Sequence, residues 1–408
     1  MVKEKDLNCL WLARKIPLPL SSGESNYTAH LAQALALAGS AVTFIGLDDP
    51  VAPALRLAGA FENQIDWSIA PGLPNPTILA LASPLPLVAA RYGTRHYARY
   101  LKETLCVRDF DAIILDQYSM VWAIPHLRRA KWKRERPLIA HIAHDFETDV
   151  TSDIARNFRG SPFRKAALYL NARKTAIAEH KLAHAANIIV TLTAEDRESF
   201  ARLSPLSTRL VLAPGYNGPR APERPIVAAT PRRVAVVGNF HWVAKQMNLT
   251  AFLEAADPIF ESAGIGLDIV GEMPDHLRKV CAARVKATRF HGFVDDLGEF
   301  LAARRMGLVI EETGGGFKLK VLDYVFNRVP IAAISGSMAG LPLTAGHDYL
   351  CFESMQELAR GVAAAIDDLE RLNSMQRTAY AKCEKRFDWG DRGRILYDAI
   401  LQAVDRQS

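Results

Sequence analysis

Short apolar runs of strand length alternate along this chain with segments whose apolar residues recur three or four positions apart. A continuous apolar run fits a strand buried on both faces, and its alternation with helices predicts a parallel sheet wrapped by helices. The pattern occurs twice. In the first half the runs are LNCLWLA (7–13), AVTFIGL (41–47), DAIILD (111–116), PLIAHIA (137–143) and NIIVTLT (187–193). In the second they are RVAVVG (233–238), GLDIVG (266–271), ATRFHGF (287–293), MGLVIE (306–311) and VPIAAIS (329–335). Between the first two strands, Glu24 to Ala38 sets Leu31, Leu35 and Ala38 on one helical face, behind a Ser21-x-x-Glu24 capping sequence. The closing stretch FDWGDRGRILYDAILQAV predicts a helix with Ile395, Ala399 and Val404 on one face.

Five prolines and two glycines crowd residues 213–233 and exclude regular structure, so an interdomain linker is expected there. The expected organisation is an α/β chain of two doubly wound, Rossmann-like domains. They are residues 1–212 and 233–386, joined by 213–232, with 387–408 packing back on the first domain. Doubly wound sheets bind ligands beyond the carboxyl ends of their strands, so the two domains are expected to face a central cleft.

A composition of 49% hydrophobic and 23% charged residues is that of a folded globular protein. The N-terminal stretch reads as no signal peptide, because Arg14 and Lys15 interrupt its apolar run. The longest apolar tract, Thr77 to Ala90, is too short for a bilayer and is broken by Pro84 and Pro86. Five widely spaced cysteines without a CxxC pair fit a reducing cytoplasm. The net charge of +6 does not mark a nucleic-acid binder, and no nucleic-acid partner is expected. Two basic stretches, Arg128–Arg136 and Arg156–Lys174, are either solvated faces or attractors of an anionic acceptor or the inner membrane surface. Near an anionic membrane each cation contributes roughly 1 kcal/mol.

Two segments of the second half carry candidate phosphate chemistry. In VVGNFHWVAKQMNL a strand ends, Gly238 turns, and Lys245 falls near the start of the next helix, where free N–H groups favour anions. In ETGGGFKLKVLDY, Gly315 and Gly316 allow close backbone approach, and Lys318 and Lys320 follow the strand MGLVIE. For each lysine the alternative is an ordinary surface cation.

With these segments the chain resembles the GT-B glycosyltransferases, in particular the family-4 type. That family follows a strand ending in VG with an Arg and, six residues later, a Lys, both gripping the donor diphosphate. Here Asn239 stands at the Arg position and Lys245 at the Lys. In the family's Glu-x7-Glu element the first Glu touches the donor sugar and the second holds the ribose. Gly315 and Asp323 occupy those positions. The segment is similar to a subgroup with GxG and a Lys in place of the first Glu. It also resembles inverting glucuronosyltransferases of exopolysaccharide assembly, and both relatives imply that Lys320 is a donor ligand.

In the first half, PLPLSSGESNYTAHLAQAL, with only Gly23, matches the family's glycine loop near the diphosphate. AHIAHDFETD resembles its histidine loop, with His144 at the histidine and Asp145 where inverting relatives place the base. Glu272, Met273 and Phe293 match positions around the nucleotide. DFD (109–111) imitates a metal-binding DxD but directly precedes a strand, so no metal is expected. The resemblance implies metal-independent transfer of a sugar from a nucleotide-diphosphate donor to a glycan or lipid-linked acceptor in surface polysaccharide or glycoconjugate assembly, with no cofactor. A nucleotide-sugar epimerase of the same fold and a non-catalytic sugar-nucleotide binder are the alternatives.

Overall fold

The computed structural model describes residues 7–20, 22–48, 65–133 and 135–407. Two compact units divide the chain, Met1–Gly215 with Asp388–Ser408, and Tyr216–Phe387.

The first unit holds a seven-stranded parallel sheet of β1 (Leu7–Lys15), β2 (Ser40–Leu47), β3 (Ile65–Ala70), β4 (Ala112–Asp116), β5 (Leu138–Ala143), β6 (Ile188–Thr191) and β7 (Thr208–Val211). Its order is β3-β2-β1-β4-β5-β6-β7, so the strand order reverses between β1 and β4, where Cys9 pairs with Ala112 and Leu12 with Leu115. The second unit repeats the plan with β8 (Arg233–Val237), β9 (Gly266–Val270), β10 (Thr288–Gly292), β11 (Met306–Val309), β12 (Ile331–Ile334) and β13 (Leu350–Phe352), ordered β10-β9-β8-β11-β12-β13. Its reversal lies between β8 and β11. At such a reversal neighbouring crossovers leave to opposite faces, which opens a crevice beyond the strand ends.

The apolar runs form the strands expected of them; all are largely buried under helices except β10, a sheet edge with no buried residue. Three strands, β3, β7 and β13, lie outside those runs, and all three are sheet edges. Two helix details also differ from the sequence reading. The helix Gly23–Leu37 is capped by Ser22, whose Oγ accepts from Ser25 N at 3.1 Å while Ser25 Oγ accepts from Ser22 N at 3.0 Å. Ser21 lies outside the described residues, and Glu24 pairs with Arg14 instead of capping. In the helix Trp389–Asp405, which packs on Gly23–Leu37, the buried face is Gly393, Leu396, Ile400 and Val404, whereas Ile395 is exposed. Gly393 sets this face, because a Cβ there would stand 2.1 Å from the Ala34 carbonyl oxygen. Among the described residues no helix is long and apolar enough to cross a membrane.

Candidate functional site

Each unit gathers charged groups at its own strand-order reversal. In the second unit β11 ends at Val309, and the chain runs through Glu311 and a glycine loop into the helix Lys320–Phe326. Tyr324 fixes that helix to the sheet, its hydroxyl accepting from Val237 N at 3.0 Å. Asn248, on the helix Val243–Ala263, fixes the loop: its amide accepts from Thr313 N at 3.1 Å and donates to Thr313 O at 2.7 Å. Gly314 and Gly316 take φ of 113° and 71°, values that favour glycine, and Trp242 stands against Gly314.

The lysines meet around one carboxylate. Lys320 Nζ lies 2.5 Å from Glu311 Oε1, with side chains 10% and 9% exposed. Burial disfavours the charge on Glu311, but Lys320 and then Lys318 hold it below the ordinary carboxylate range, with Lys245 adding to the effect. The second oxygen, Oε2, is buried and has no hydrogen-bond partner among the described residues. Lys318 turns back on its own loop and donates to the carbonyl oxygens of Gly315 and Gly316. Asp323, one turn into the helix, is pushed up to about 7 by burial and contacts Tyr216.

A cavity of about 340 Å³ lies beyond β8, β9 and β10, lined by His241, Glu272, Met273, Arg278 and Phe290 together with Gly271, Asp275 and Gly292. Gly271 is required there, since at φ 118° a Cβ would fall 1.9 Å from the Gly238 carbonyl oxygen. Glu272, Met273 and Phe290 line this cavity, whereas Phe293 is 74% exposed and is not part of its lining. Phe290 lies within β10, whereas Phe293 follows its last residue, Gly292. Asn239 shapes the turn after β8, its Oδ1 accepting from His241 N at 3.1 Å.

In the first unit His144 follows β5 and its Nε2 lies 2.7 Å from Asp116 Oδ1, both groups buried. Asp116 closes β4 and also accepts from Thr28 Oγ1 at 2.7 Å and Trp11 Nε1 at 3.0 Å. Burial opposes both charges, yet their pairing prevails: Asp116 is held below and His144 above its ordinary pKa. A small cleft beside Asp116 is lined by Arg14, Ser22, Glu24 and Thr28, and Gly23 is the exposed first residue of the adjoining helix. Asp145 follows His144, and next comes an acid cluster. Glu179 caps the helix Glu147–Asn157 by accepting from the backbone N–H of Glu147 and Thr148, each at 2.9 Å. Burial raises Glu179 to about 7 and, with Asp145 and Glu179 nearby, raises Glu147 well above the carboxylate range. Such displaced carboxyls can hold or release protons near neutrality.

Sequence reasoning missed Glu311, Asn248, Asp116 and Glu179. Two of them carried a signal: each ends an apolar run beside a reversal, Asp116 as the last residue of β4 and Glu311 two residues after β11. Asn248 and Glu179 sit mid-helix and reach partners distant in sequence, which no local pattern reveals.

Residues 231–368 match a family model described as glycosyl transferases group 1. No curated protein matches the chain. Sucrose-phosphate synthase from Thermosynechococcus elongatus is similar over 98% of this chain and 100% of its own, with 14% identity and a TM-score of 0.71. HepE of Anabaena, solved with UDP and glucose, shares 14% identity over 97% of this chain and 100% of its own, with a TM-score of 0.61. The pneumococcal O-GlcNAc transferase GtfA, solved with UDP and GlcNAc, shares 12% identity over 98% and 99%, with a TM-score of 0.63.

Proposed function

We propose that this chain, which has the GT-B fold and carries a group 1 glycosyltransferase domain at residues 231–368, moves a sugar from a nucleoside-diphosphate donor to a glycan or lipid-linked acceptor, in assembly of a surface polysaccharide or glycoconjugate. The observation that carries the proposal is the lysine cluster around Glu311, set at the β8/β11 reversal of the domain that matches the family. Breaking the sugar–phosphate bond leaves charge on the diphosphate, and fixed cations that stabilise it lower the barrier. Lys320 and Lys245, with the N-terminus of the helix Val243–Ala263, supply that charge without calling on a metal. Lys318 holds the loop through its carbonyls. Asp323 faces the ribose, and Glu272, Met273 and Phe290 enclose the base. HepE and GtfA are solved with UDP, which makes UDP-sugars the first donors to test.

In the first unit His144, oriented by Asp116, is a hydrogen-bond donor for a sugar hydroxyl. Asp145 takes the acceptor proton if the reaction inverts the anomeric centre; if it retains it, the leaving phosphate does so. The acceptor is delivered at an anionic membrane surface, a reading that rests on the basic first half of the chain.

A thermal-shift series with nucleoside diphosphates and their sugars tests donor binding, because a ligand of the folded state raises apparent stability. Lys320→Ala is expected to lose about 10² to 10³ in turnover with the fold intact. Turnover within a few-fold of wild type would remove Lys320 from the reaction.

A further inference from the structure

We infer that the first unit docks on anionic lipid through one specific face, built from the helix Thr77–Leu81 and the tip of the hairpin formed by the helices Glu147–Asn157 and Pro162–Ala185. The inference rests on the membrane reading above and gives it a location. The two hairpin helices pack against each other, but the first ten residues of the longer one, 162–171, include none that is buried. Phe163 at the tip is 89% exposed, and Tyr169 and Leu170 are exposed beyond it. On Thr77–Leu81, Ile78 is 79% exposed, with Leu79 and Leu81 also open. The longer hairpin helix is tied to the end of Thr77–Leu81 and to the residues just after it: Lys174 Nζ donates to Leu81 O at 3.3 Å and to Ser83 O at 2.6 Å, and Asn171 Oδ1 accepts from Leu87 N at 2.8 Å. Large apolar side chains grouped in this way on a folded surface mark an interaction site.

Charge selects the partner. No acid occurs between Asp66 and Glu103, or between Asp153 and Glu179. Those two segments hold ten of the chain's lysines and arginines, so against a net of +6 the rest of the chain is on balance acidic. Arg159, Arg164, Lys165 and Arg173 thus flank the exposed apolar residues without a neighbouring carboxylate in sequence. Arg164 lies over the Phe158 ring, 5.2 Å from its centroid, which sets a cation at the tip beside Phe163. Aromatic and aliphatic side chains that enter the headgroup boundary, with cations reading anionic lipid, form an interfacial anchor. A protein partner or a second copy would match the apolar residues but would give no reason for the absence of acids.

Sedimentation with vesicles tests the docking, using full-length protein without donor, phosphatidylcholine vesicles with and without 30% phosphatidylglycerol, and a salt series. The wild type is expected to bind only the anionic vesicles, with affinity falling as salt rises. Phe163→Asp with Ile78→Asp is expected to weaken binding at least tenfold, and Arg164→Glu about fivefold or more. The exposure of all three positions predicts unchanged melting and unchanged nucleotide binding. Absence of anionic-vesicle binding at low salt, or undiminished binding by the double variant, would overturn the inference. So would a concentration-dependent dimer that the double variant dissociates without any vesicle binding. None of these outcomes depends on sugar transfer, so failure of this face and failure of the enzymatic reading are separable.

Discussion

Glu311→Gln removes one charge from the centre of the lysine cluster and leaves the shape of the side chain in place. Exposed ion pairs contribute about 0.2–1 kcal/mol, but that range does not apply where both partners are nine-tenths buried. Breaking a buried pair by removing one partner costs about 3–5 kcal/mol, because the remaining charge is left uncompensated. A glutamine oxygen can still accept from Lys320, which places the expected cost near the lower end, about 3 kcal/mol. Hydrogen exchange over residues 306–326 reads this directly, since 3 kcal/mol is roughly a hundredfold loss of protection. The pH dependence has a fixed sign. Glu311 is depressed in the folded state, so its contribution is present above the ordinary carboxylate pKa and lost as pH falls through its folded value; the gap between variant and wild type therefore closes in acid. UDP should recover more protection in the variant, because its diphosphate supplies the missing negative charge to Lys320. A loss of protection under tenfold would show that the pair is not energetically buried. Equal protection of both proteins by UDP would show that the diphosphate does not reach Lys320.

The other carboxylates give two further tests. Asp116→Asn breaks the buried pair with His144 and is expected to cost about 3–5 kcal/mol in chemical denaturation, with His144 titrating at lower pH by NMR. The wild-type pair should contribute most between two limits, lost in acid as pH falls through the depressed Asp116 pKa and lost in base as pH rises through the raised His144 pKa. Asp323 behaves oppositely to Asp116: burial raises it to about 7, so the folded state holds a proton that the unfolded chain has released, and stability falls as pH rises from about 4 to 7. Asp323→Asn should flatten that decline in melting temperature across the window, and an unchanged slope would refute the assignment.

The strands buried on both faces were legible because burial on two sides demands unbroken apolar sequence. β3, β7 and β13 were not, because an edge strand has fewer neighbours to satisfy: β7 has no buried residue, and β13 is only three residues long, whereas the edge strand β10 was legible without a buried residue of its own. The C-terminal helix was legible as a helix and through Val404, but Gly393, which lets it approach Ala34 closely, carries no apolar signal that would place Leu396 and Ile400 rather than Ile395 on the buried face. In the candidate sites, positions along the chain carried Lys245, Lys320 and His144 to strand ends. Their partners were harder to read, since a lysine's sequence does not say whether it meets a carboxylate, as Lys320 does, or folds back on carbonyls, as Lys318 does. Phe293 illustrates the same limit at the scale of a strand end, where leaving the sheet a few residues after Phe290 releases the ring to solvent.

The two hydrogen bonds between Asn248 and Thr313 have a thermodynamic consequence for any ligand of the second unit. They join the glycine loop to the helix that carries Lys245, so the groups flanking Glu311 are ordered when the domain folds. The conformational entropy of arranging them is already lost before a ligand arrives, and association need not repeat it. Affinity at this site is then governed by exchange of one anion for another and by release of water, so it should respond to ionic strength more than to chain flexibility.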